Sequence, residues 1–427
     1  MIHAGRVKEL TTARTAEFVR SLGGIHLAGS TICNSLGIGA VVPLEILFFT
    51  LHRHMPATTV GLGMSVSGLL SMALSPLGGH LIDRYSPKRT LLLAWIISAL
   101  AAAARVLVDD LWELMVVQFL LVSAAGMGWN STQALLGVIS PGDQLSKVMA
   151  SSYTLHNLGL GVGGLLAALA LAIGGVGFDI AIYLNAACFA AAALCVLGFT
   201  PPPPKPALSE HDDMSIWAVL ADRRYLLMTW MNAMIAFAQV GLTVILPLWV
   251  VFHTNAPHEL VGLMYTLNTF IVVMFQMRVS KGVSTLADTP RTYIYAGLSI
   301  VAAAALYLLA HYPGELLAVL LIVLATILMT CSEMFASACG FVVSMELANE
   351  HHRGKYLAVF GMGWGLLNAI GPTSGTALIK AGILIPWPVV GIISAVGAFA
   401  ARRVIGHSIP RATAERPERP AAWESPA

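Results

Sequence analysis

Three ionisable side chains interrupt long apolar stretches of the sequence, and they are the residues best suited to bind and release a proton. They are Glu333, Glu45, which follows Pro43, and His156. A charge at the centre of a bilayer costs roughly 2.5–3.5 kcal/mol on insertion scales, so such a residue usually faces a cavity. We expect these three to be proton-coupling residues. The alternatives are a structural hydrogen bond for Glu333 and His156, and a cation site or contact with lipid headgroups for Glu45.

Uncharged polar side chains cluster on some of the apolar stretches and are almost absent from others. Asn232 and Gln239, for example, are seven residues apart and therefore share one face of a helix. Any single amide is readily explained by a hydrogen bond between helices, but the set as a whole predicts a polar cavity for a substrate. The candidate residues of this cavity are Thr31, Asn34, Asn130, Gln133, Asn157, Asn232, Gln239, Asn268 and Thr269.

The elements that position these residues are apolar segments of membrane length. The chain has 427 residues, of which 57% are hydrophobic and 11% charged, and its mean hydropathy is +0.77. Soluble domains have about 25% charged residues, so the composition indicates a helical membrane protein. Each segment is long enough to cross a hydrocarbon core about 30 Å thick. The twelve segments are 22–50, 58–82, 90–108, 112–137, 148–173, 178–199, 225–252, 259–278, 292–311, 314–340, 355–381 and 386–404.

A short charged stretch, Gly78 to Arg89, lies between the second and third segments and reads as a loop. It resembles the loop between helices 2 and 3 of the major facilitator superfamily of transporters. The family pattern there is Gly, three residues, Asp-Arg, a spacer, Gly and then two or three basic residues. Ser86 stands where Gly is usual, and Pro87 stands where Arg is usual. The residues that fit, and that the resemblance implies to form a cytoplasmic gate, are Gly79, Asp83, Arg84, Lys88 and Arg89.

The resemblance implies an all-α integral membrane protein with twelve transmembrane helices in two six-helix bundles. It also implies that helices 1, 4, 7 and 10 line a cavity between the bundles. The proline-rich run from Pro201 to Pro206 predicts a stiff linker between the two halves. The expected domains are a cytoplasmic tail (1–21), an N-terminal bundle (22–200), a cytoplasmic linker (201–222), a C-terminal bundle (223–404) and a disordered cytoplasmic tail (405–427).

The positions of the cations give the orientation. With a cytoplasmic N-terminus, 21 of the 24 Lys and Arg residues fall in cytoplasmic tails and loops. Arg53, Arg105 and Lys380 are the exceptions, and they lie outside or near the outer face. Because cytoplasmic loops are enriched in Lys and Arg, we expect a multi-pass protein of the plasma (inner) membrane with both termini in the cytoplasm.

These patterns predict a secondary active transporter that works by alternating access, and not an enzyme. Local sequence in the later helices resembles actinobacterial, multidrug-efflux-like members of the family, which implies a proton-coupled antiporter that exports a small, partly hydrophobic compound such as a drug or natural product. Helix 4 lacks the Arg of the drug antiporters, and helix 5 has their glycines without their proline. An importer or facilitator of a small metabolite is therefore the alternative. A scaffold, a receptor or a membrane-embedded enzyme is more remote.

The sequence indicates no resident cofactor. Its five cysteines lie in apolar stretches without CxxC spacing, so neither a disulfide framework nor a zinc site is expected. It has no phosphate-binding GxxxxGK[ST] motif, so we expect no ATP hydrolysis. The expected partners are a small-molecule substrate, protons and the lipid bilayer. We expect no nucleic acid partner and a monomeric protein.

Overall fold

The computed structural model describes residues 24–139, 145–200, 216–312, 314–349 and 353–406, and within these ranges the regular structure is helical, without strands. A bilayer has no water to satisfy free backbone groups, so an apolar chain pairs them within helices. We number the long helices α1 to α12. Helix α1 (Gly24–Val41) continues, after a 48° bend, as Glu45–His52, and α7 is Arg223–His253. The others are α2 (Ala57–Tyr85), α3 (Pro87–Ala104), α4 (Leu111–Ile139), α5 (Leu145–Ile173), α6 (Gly175–Gly198), α8 (Leu260–Lys281), α9 (Thr289–Leu309), α10 (Glu315–Glu346), α11 (Arg353–Ala381) and α12 (Pro386–Gly406).

Each predicted apolar segment corresponds to one of these helices, which confirms the all-α membrane architecture. In the described part of the chain, ten helices are long and apolar enough to cross a membrane, or eleven if the bent α1 is one span. The remaining helix is α11, which has 29 residues and is therefore roughly 43 Å long. Its composition is less apolar because it includes Asn368, Pro372 and several Gly, Ser and Thr residues.

The charged stretch between α2 and α3 is largely helical, whereas its sequence indicated a loop. Helix α2 continues to Tyr85, and Ser86 alone separates it from Pro87 at the start of α3. Ser86 has φ 100° and ψ 144°, a backbone conformation that favours Gly, and this explains why Gly suits the position in the family pattern. The gate residues Gly79 and Asp83 belong to α2, but their side chains lie outside the part that the structure describes.

Helix packing repeats in the two halves of the chain. In the first half α1 packs against α5 and α6, α4 against α2 and α3, and α3 against α6. The second half repeats this pattern, with α7 against α11 and α12, α10 against α8 and α9, and α9 against α12. The main contacts between the halves join α2 to α11 and α5 to α8. Because α2 corresponds to α8 and α5 corresponds to α11 in the repeat, these two contacts are equivalent to each other. The fold is therefore two six-helix bundles around a pseudo-two-fold axis.

The two ends of the molecule are packed differently. We call the end where α1 begins the Gly24 face and the end where α2 begins the Pro56 face. Near the Pro56 face, one cluster of buried apolar side chains includes residues from both halves. Towards the Gly24 face, the buried side chains form separate clusters, one in the first half and two in the second. The halves thus share a core only towards the Pro56 face in the described structure.

Hydrogen bonds between the halves lie on the same side of the molecule. Thr373 of α11 donates its backbone N–H to Ser65 Oγ and its hydroxyl to the carbonyl oxygen of Gly61, both at 3.0 Å. In the equivalent place, the hydroxyl of Thr266 in α8 donates to the carbonyl oxygen of Gly161 in α5 at 3.1 Å. Small residues let the backbones approach closely enough for these bonds.

Candidate functional site

A cavity of roughly 180 Å³ lies between the two halves. Its wall is formed by α1 and α7, which are equivalent under the pseudo-two-fold axis, and by α2 and α11, which pair across it. Transporters built from repeats bind their substrates at this kind of interface. The polar side chains of the wall are Glu45, Gln239, Thr243 and Asn368.

Both pseudo-equivalent helices are irregular where they form the wall. Helix α1 bends beside Pro43, which has no N–H to donate to the helix. Helix α7 is interrupted at Phe237 and then forms a π-helical turn, Gly241–Ile245, just before Pro247. Irregular backbone within a membrane protein is tolerated where it lines a cavity, and π-helical turns are frequent at functional sites. The two breaks therefore mark this cavity as the candidate substrate site.

Glu45 lies just beyond the bend in α1 and forms a buried ion pair beside the cavity. Its Oε1 accepts a hydrogen bond from Arg105 at the end of α3. Arg105 is only 3% exposed, and its guanidinium also reaches Gln118 Oε1 of α4 at 3.4 Å. The pair ties α1 to α3 and α4, and removing one partner would leave a buried charge at a cost of about 3–5 kcal/mol. Arg105 thus lies buried beside Glu45 at the Pro56-face end of α3.

Glu333 lies between α8 and α10 and is not part of the cavity wall. Its Oε2 accepts a hydrogen bond from Asn268 Nδ2 at 2.8 Å, and the same nitrogen donates to Thr330 Oγ1 at 3.0 Å. Asn268 and Thr330 are buried, whereas Glu333 is half-buried. Because the hydrogen-bonded neighbours described here are neutral, proton uptake by Glu333 would break no ion pair.

His156 lies in a third place, at the contact between α5 and α4. Its ring centroid is 5.3 Å from that of Trp129, which also contacts Tyr153 at 5.3 Å. Within the described residues, His156 Nδ1 is buried without a hydrogen-bond partner. The three predicted proton-coupling residues are therefore held by separate helix contacts and do not form one cluster.

The remaining predicted cavity residues are also dispersed. Gln239 lines the cavity, and Asn268 holds Glu333. Thr31, Asn157 and Thr269 bond to carbonyl oxygens of their own helices. Of the others, Asn34 is buried in α1, Asn130 is exposed in a groove between α2, α3 and α4, Gln133 is half-buried in α4, and Asn232 lies against Gly340 of α10.

Sequence reasoning missed three residues of this region: Asn368, Arg105 and Gln118. A signal existed for Asn368, which is a lone amide four residues before Pro372 in a segment that is otherwise apolar or small. Arg105 closes an apolar segment, and its position in the sequence predicted only that it lies outside or near the outer face. Its partner Glu45 is 60 positions away, so only the folded structure reveals the pair.

The cations of the predicted gate contact the first half of the chain. Lys88 Nζ donates to the carbonyl oxygen of Leu197, near the end of α6, at 3.2 Å. Arg84 lies over the ring of Tyr85, 5.7 Å from its centroid, and Arg89 is exposed. The gate itself remains a prediction, because the side chain of Asp83 is not described.

A model of the Major Facilitator Superfamily matches residues 27–372 of the sequence. The chain belongs to the major facilitator superfamily. Its all-α fold and its two-fold repeat are therefore those of a family of membrane transporters, as the pattern around Asp83 and Arg84 implied.

Several relatives match parts of the chain. It is 27% identical over 150 residues to a Na(+), Li(+), K(+)/H(+) antiporter of Planococcus maritimus, covering 34% of this chain and 35% of the antiporter. It is 28% identical over 147 residues to the multidrug resistance protein MdtG of Serratia proteamaculans, covering 34% and 36%. The chain thus matches about a third of the length of these curated relatives. A crystal structure of a mutant nucleoside transporter NupG superposes with a TM-score of 0.72 at 13% identity, covering 91% of this chain and 100% of that chain.

Proposed function

We propose that this transporter exports a small, partly hydrophobic compound in exchange for protons. The observation that carries the proposal is the cavity between pseudo-equivalent breaks in α1 and α7, with the halves packed together on the Pro56 side of the molecule. A site with one closed side is what alternating access requires, since the substrate must reach the cavity from one face at a time. The names of the two relatives, a cation/proton antiporter and a multidrug resistance protein, support the same class of activity.

The Gly24 face is cytoplasmic in this proposal. Among the residues that the structure describes, most Lys and Arg lie at the helix ends and short connections of that face, as expected for cytoplasmic segments. The closed Pro56 face then points out of the cell, and the cavity is poised to receive a compound from the cytoplasm. Cysteines introduced at Ser209 and His258 test the orientation in intact cells. An impermeant maleimide should label position 258 and spare position 209, and the reverse pattern contradicts the assignment.

Glu333 is the proposed proton carrier. Its hydrogen-bond partner Asn268 serves the carboxyl whether it is ionised or protonated, because a side-chain amide can both donate and accept a hydrogen bond. An ionised carboxylate away from water is costly, and this cost links the proton to the change of state. A membrane potential adds about 2.3 kcal/mol per charge per 100 mV, which is enough to bias two nearly balanced states.

The proposal is tested with purified full-length protein in liposomes that contain a pH-sensitive dye. Small organic amines, alcohols and carboxylic acids are added one class at a time under an imposed pH gradient. An antiporter should move protons only when its compound is present. Glu333→Gln should abolish uphill accumulation of that compound and spare downhill exchange, because Gln has the shape of the protonated acid. Glu346→Gln, an exposed acid at the end of the same helix, is the matched control.

Two results would contradict parts of this function. If Glu333→Gln still concentrates the compound against its gradient, the proton carrier is another group. If the wild-type protein exchanges the compound across the membrane without regard to a pH gradient or a proton uncoupler, proton coupling is wrong. The facilitator reading of the sequence then replaces the exporter.

A further inference from the structure

The cavity wall carries charge of one sign. Of its twelve residues, Glu45 is acidic and none is Lys, Arg or His. The other polar contributions are two amides and the hydroxyl of Thr243, and that hydroxyl donates to the carbonyl oxygen of Gln239 at 2.9 Å. The rest of the wall is apolar side chains and small backbone surface. A ligand in this cavity therefore meets a single carboxylate set in a mainly apolar surface.

The geometry of the ion pair determines which oxygen of the Glu45 carboxylate is free to contact a ligand. Arg105 donates a hydrogen bond to Oε1 of Glu45 and is not part of the wall, whereas Glu45 is. Within the described residues, the structure gives Oε2 of Glu45 no hydrogen-bond partner. The pair is neutral as a unit, but it is a dipole with its negative end at the cavity. In surroundings of low dielectric constant, such a dipole attracts a positive group and repels a negative one.

We propose that the cavity binds a small organic cation, with its ammonium group beside Oε2 of Glu45 and its apolar part against α2, α7 and α11. This inference rests on the proposed function, because it names the class of compound that the same cavity carries. The volume of roughly 180 Å³ is below the usual 300–1,000 Å³ of small-molecule pockets, so the enclosed part of the compound is smaller than a typical drug.

An inorganic cation fits the wall less well. Sodium and potassium ions bound by proteins lose water and need several oxygen ligands in return. The wall offers one carboxylate, two amides and one hydroxyl, and its remaining surface is largely apolar. An organic ammonium keeps its own apolar substituents against that surface, so the lining favours it. An organic anion would meet the carboxylate without any cation in the wall.

The test measures binding by isothermal titration to the purified full-length protein in detergent. The probes are benzyltrimethylammonium, its neutral isostere neopentylbenzene and the anion phenylmethanesulfonate. The cation should bind at least tenfold more tightly than the other two. Glu45→Gln should weaken binding of the cation at least tenfold. Glu113→Gln, an exposed acid in the first turn of α4 outside the cavity, should leave binding unchanged.

Glu45→Gln leaves Arg105 as an unpaired buried charge, so this variant can fail to fold. The double variant Glu45→Gln/Arg105→Gln removes both charges and should also lose the cation. Arg105→Gln alone keeps the carboxylate and removes its internal partner. It should bind benzyltrimethylammonium more tightly than the wild-type protein does. An ion pair with a purely structural role predicts the opposite, since loss of Arg105 would only disturb the cavity.

The inference is overturned if the anion or the neutral isostere binds as well as the cation, or if the double variant binds the cation normally. Competition by sodium chloride, but not by an equal concentration of choline chloride, also overturns it, because the site is then one for a metal ion. None of these measurements requires transport. If the cation binds through Glu45 but no compound crosses liposomes in either direction, the proposed function fails while this inference stands.

Discussion

Gly262 offers a direct way to change which face of the molecule is closed. It is a buried residue of α8 that packs against α5 of the other half, near the Pro56 face. A Cβ added to Gly262 would lie 2.6 Å from the carbonyl oxygen of Gly164 and 2.8 Å from Cα of Ala168. Both neighbours are backbone atoms, so no side chain can rotate away. Gly262→Ala should therefore force α5 and α8 apart.

The size of the effect follows from this contact. Overpacking of a tight interface costs about 1–3 kcal/mol. The cost applies only while the Pro56 face is closed, because the two backbones separate when it opens. The gain in helix propensity from Gly to Ala, about 0.5–1 kcal/mol, applies to both states and cancels. A shift of about 2 kcal/mol changes the ratio of open to closed molecules by roughly 30-fold.

Distances between spin labels provide the assay. Labels at Asp110 and Glu315, exposed residues at the Pro56-face ends of α4 and α10, report the separation of the halves once the five native cysteines are replaced. Gly262→Ala should move the distance distribution to longer values. Gly126→Ala is the matched control, because nothing lies within 4 Å of a Cβ at that position. If the Gly262 variant is folded and has the wild-type distribution, the steric reasoning is wrong.

Two further predictions concern the loops of the Gly24 face. Ser86→Gly should raise the unfolding temperature in detergent, because it relieves roughly 1–3 kcal/mol of backbone strain. Ser86→Ala should lower the unfolding temperature, because it keeps the strain and loses the weak hydrogen bond that the Arg89 N–H donates to Ser86 Oγ. Equal unfolding temperatures for both variants would refute the strain argument. Partial burial acts to raise the pKa of the Asp288 carboxyl, but hydrogen bonds from Thr285 and Ser284 outweigh it and lower that pKa below its ordinary value of 3.8. The carboxylate thus stabilises the fold above pH 3.8 and loses this contribution as the pH falls through the lowered pKa. Asp288→Asn should lower the free energy of unfolding by about 1 kcal/mol at pH 7. The difference in unfolding temperature between the variant and the wild-type protein should shrink only below about pH 4. A constant difference down to about pH 2 would contradict a stabilising role of the ionised Asp288 carboxylate.

The architecture was largely predictable from the sequence because it depends on segment length and composition. Runs of apolar residues long enough to cross a bilayer have few alternatives to a helix. Helix α11 shows the limit of this rule, since its Gly, Ser and Thr residues serve contact with α2 and lower its hydropathy. Ser86 shows a different limit, because a one-residue break between two helices with φ of 100° leaves no signal in composition.

The candidate site was less predictable because it depends on long-range packing and backbone irregularity. Glu45 was recognisable as an acid in an apolar segment, but its partner Arg105 and its place in the cavity were not. Polar type alone grouped Asn232 and Asn130 with Gln239, although only Gln239 reaches the cavity. The break in α7 rotates the residues after Phe237 relative to those before it. The roughly 3.6-residue period of an ideal helix therefore does not predict which residues after Phe237 face the cavity.

In the proposed transport cycle, the two hydrogen bonds that Thr373 donates to α2 favour the state with a closed Pro56 face even when no compound is bound. They exist while the Pro56 face is closed, and opening that face leaves the Thr373 N–H, next to Pro372, to water. A net bias of only about 1.4 kcal/mol leaves roughly a tenth of the empty molecules open towards the Pro56 side. A compound that arrives from that side then finds a ready site in roughly one molecule out of ten, and its half-saturating concentration is raised about tenfold. A compound from the Gly24 side meets no such penalty. Ser65→Ala should reduce the ratio of the half-saturating concentration on the Pro56 side to that on the Gly24 side. This short stretch of α2 therefore favours binding of the compound from the Gly24 side and disfavours rebinding from the Pro56 side after release.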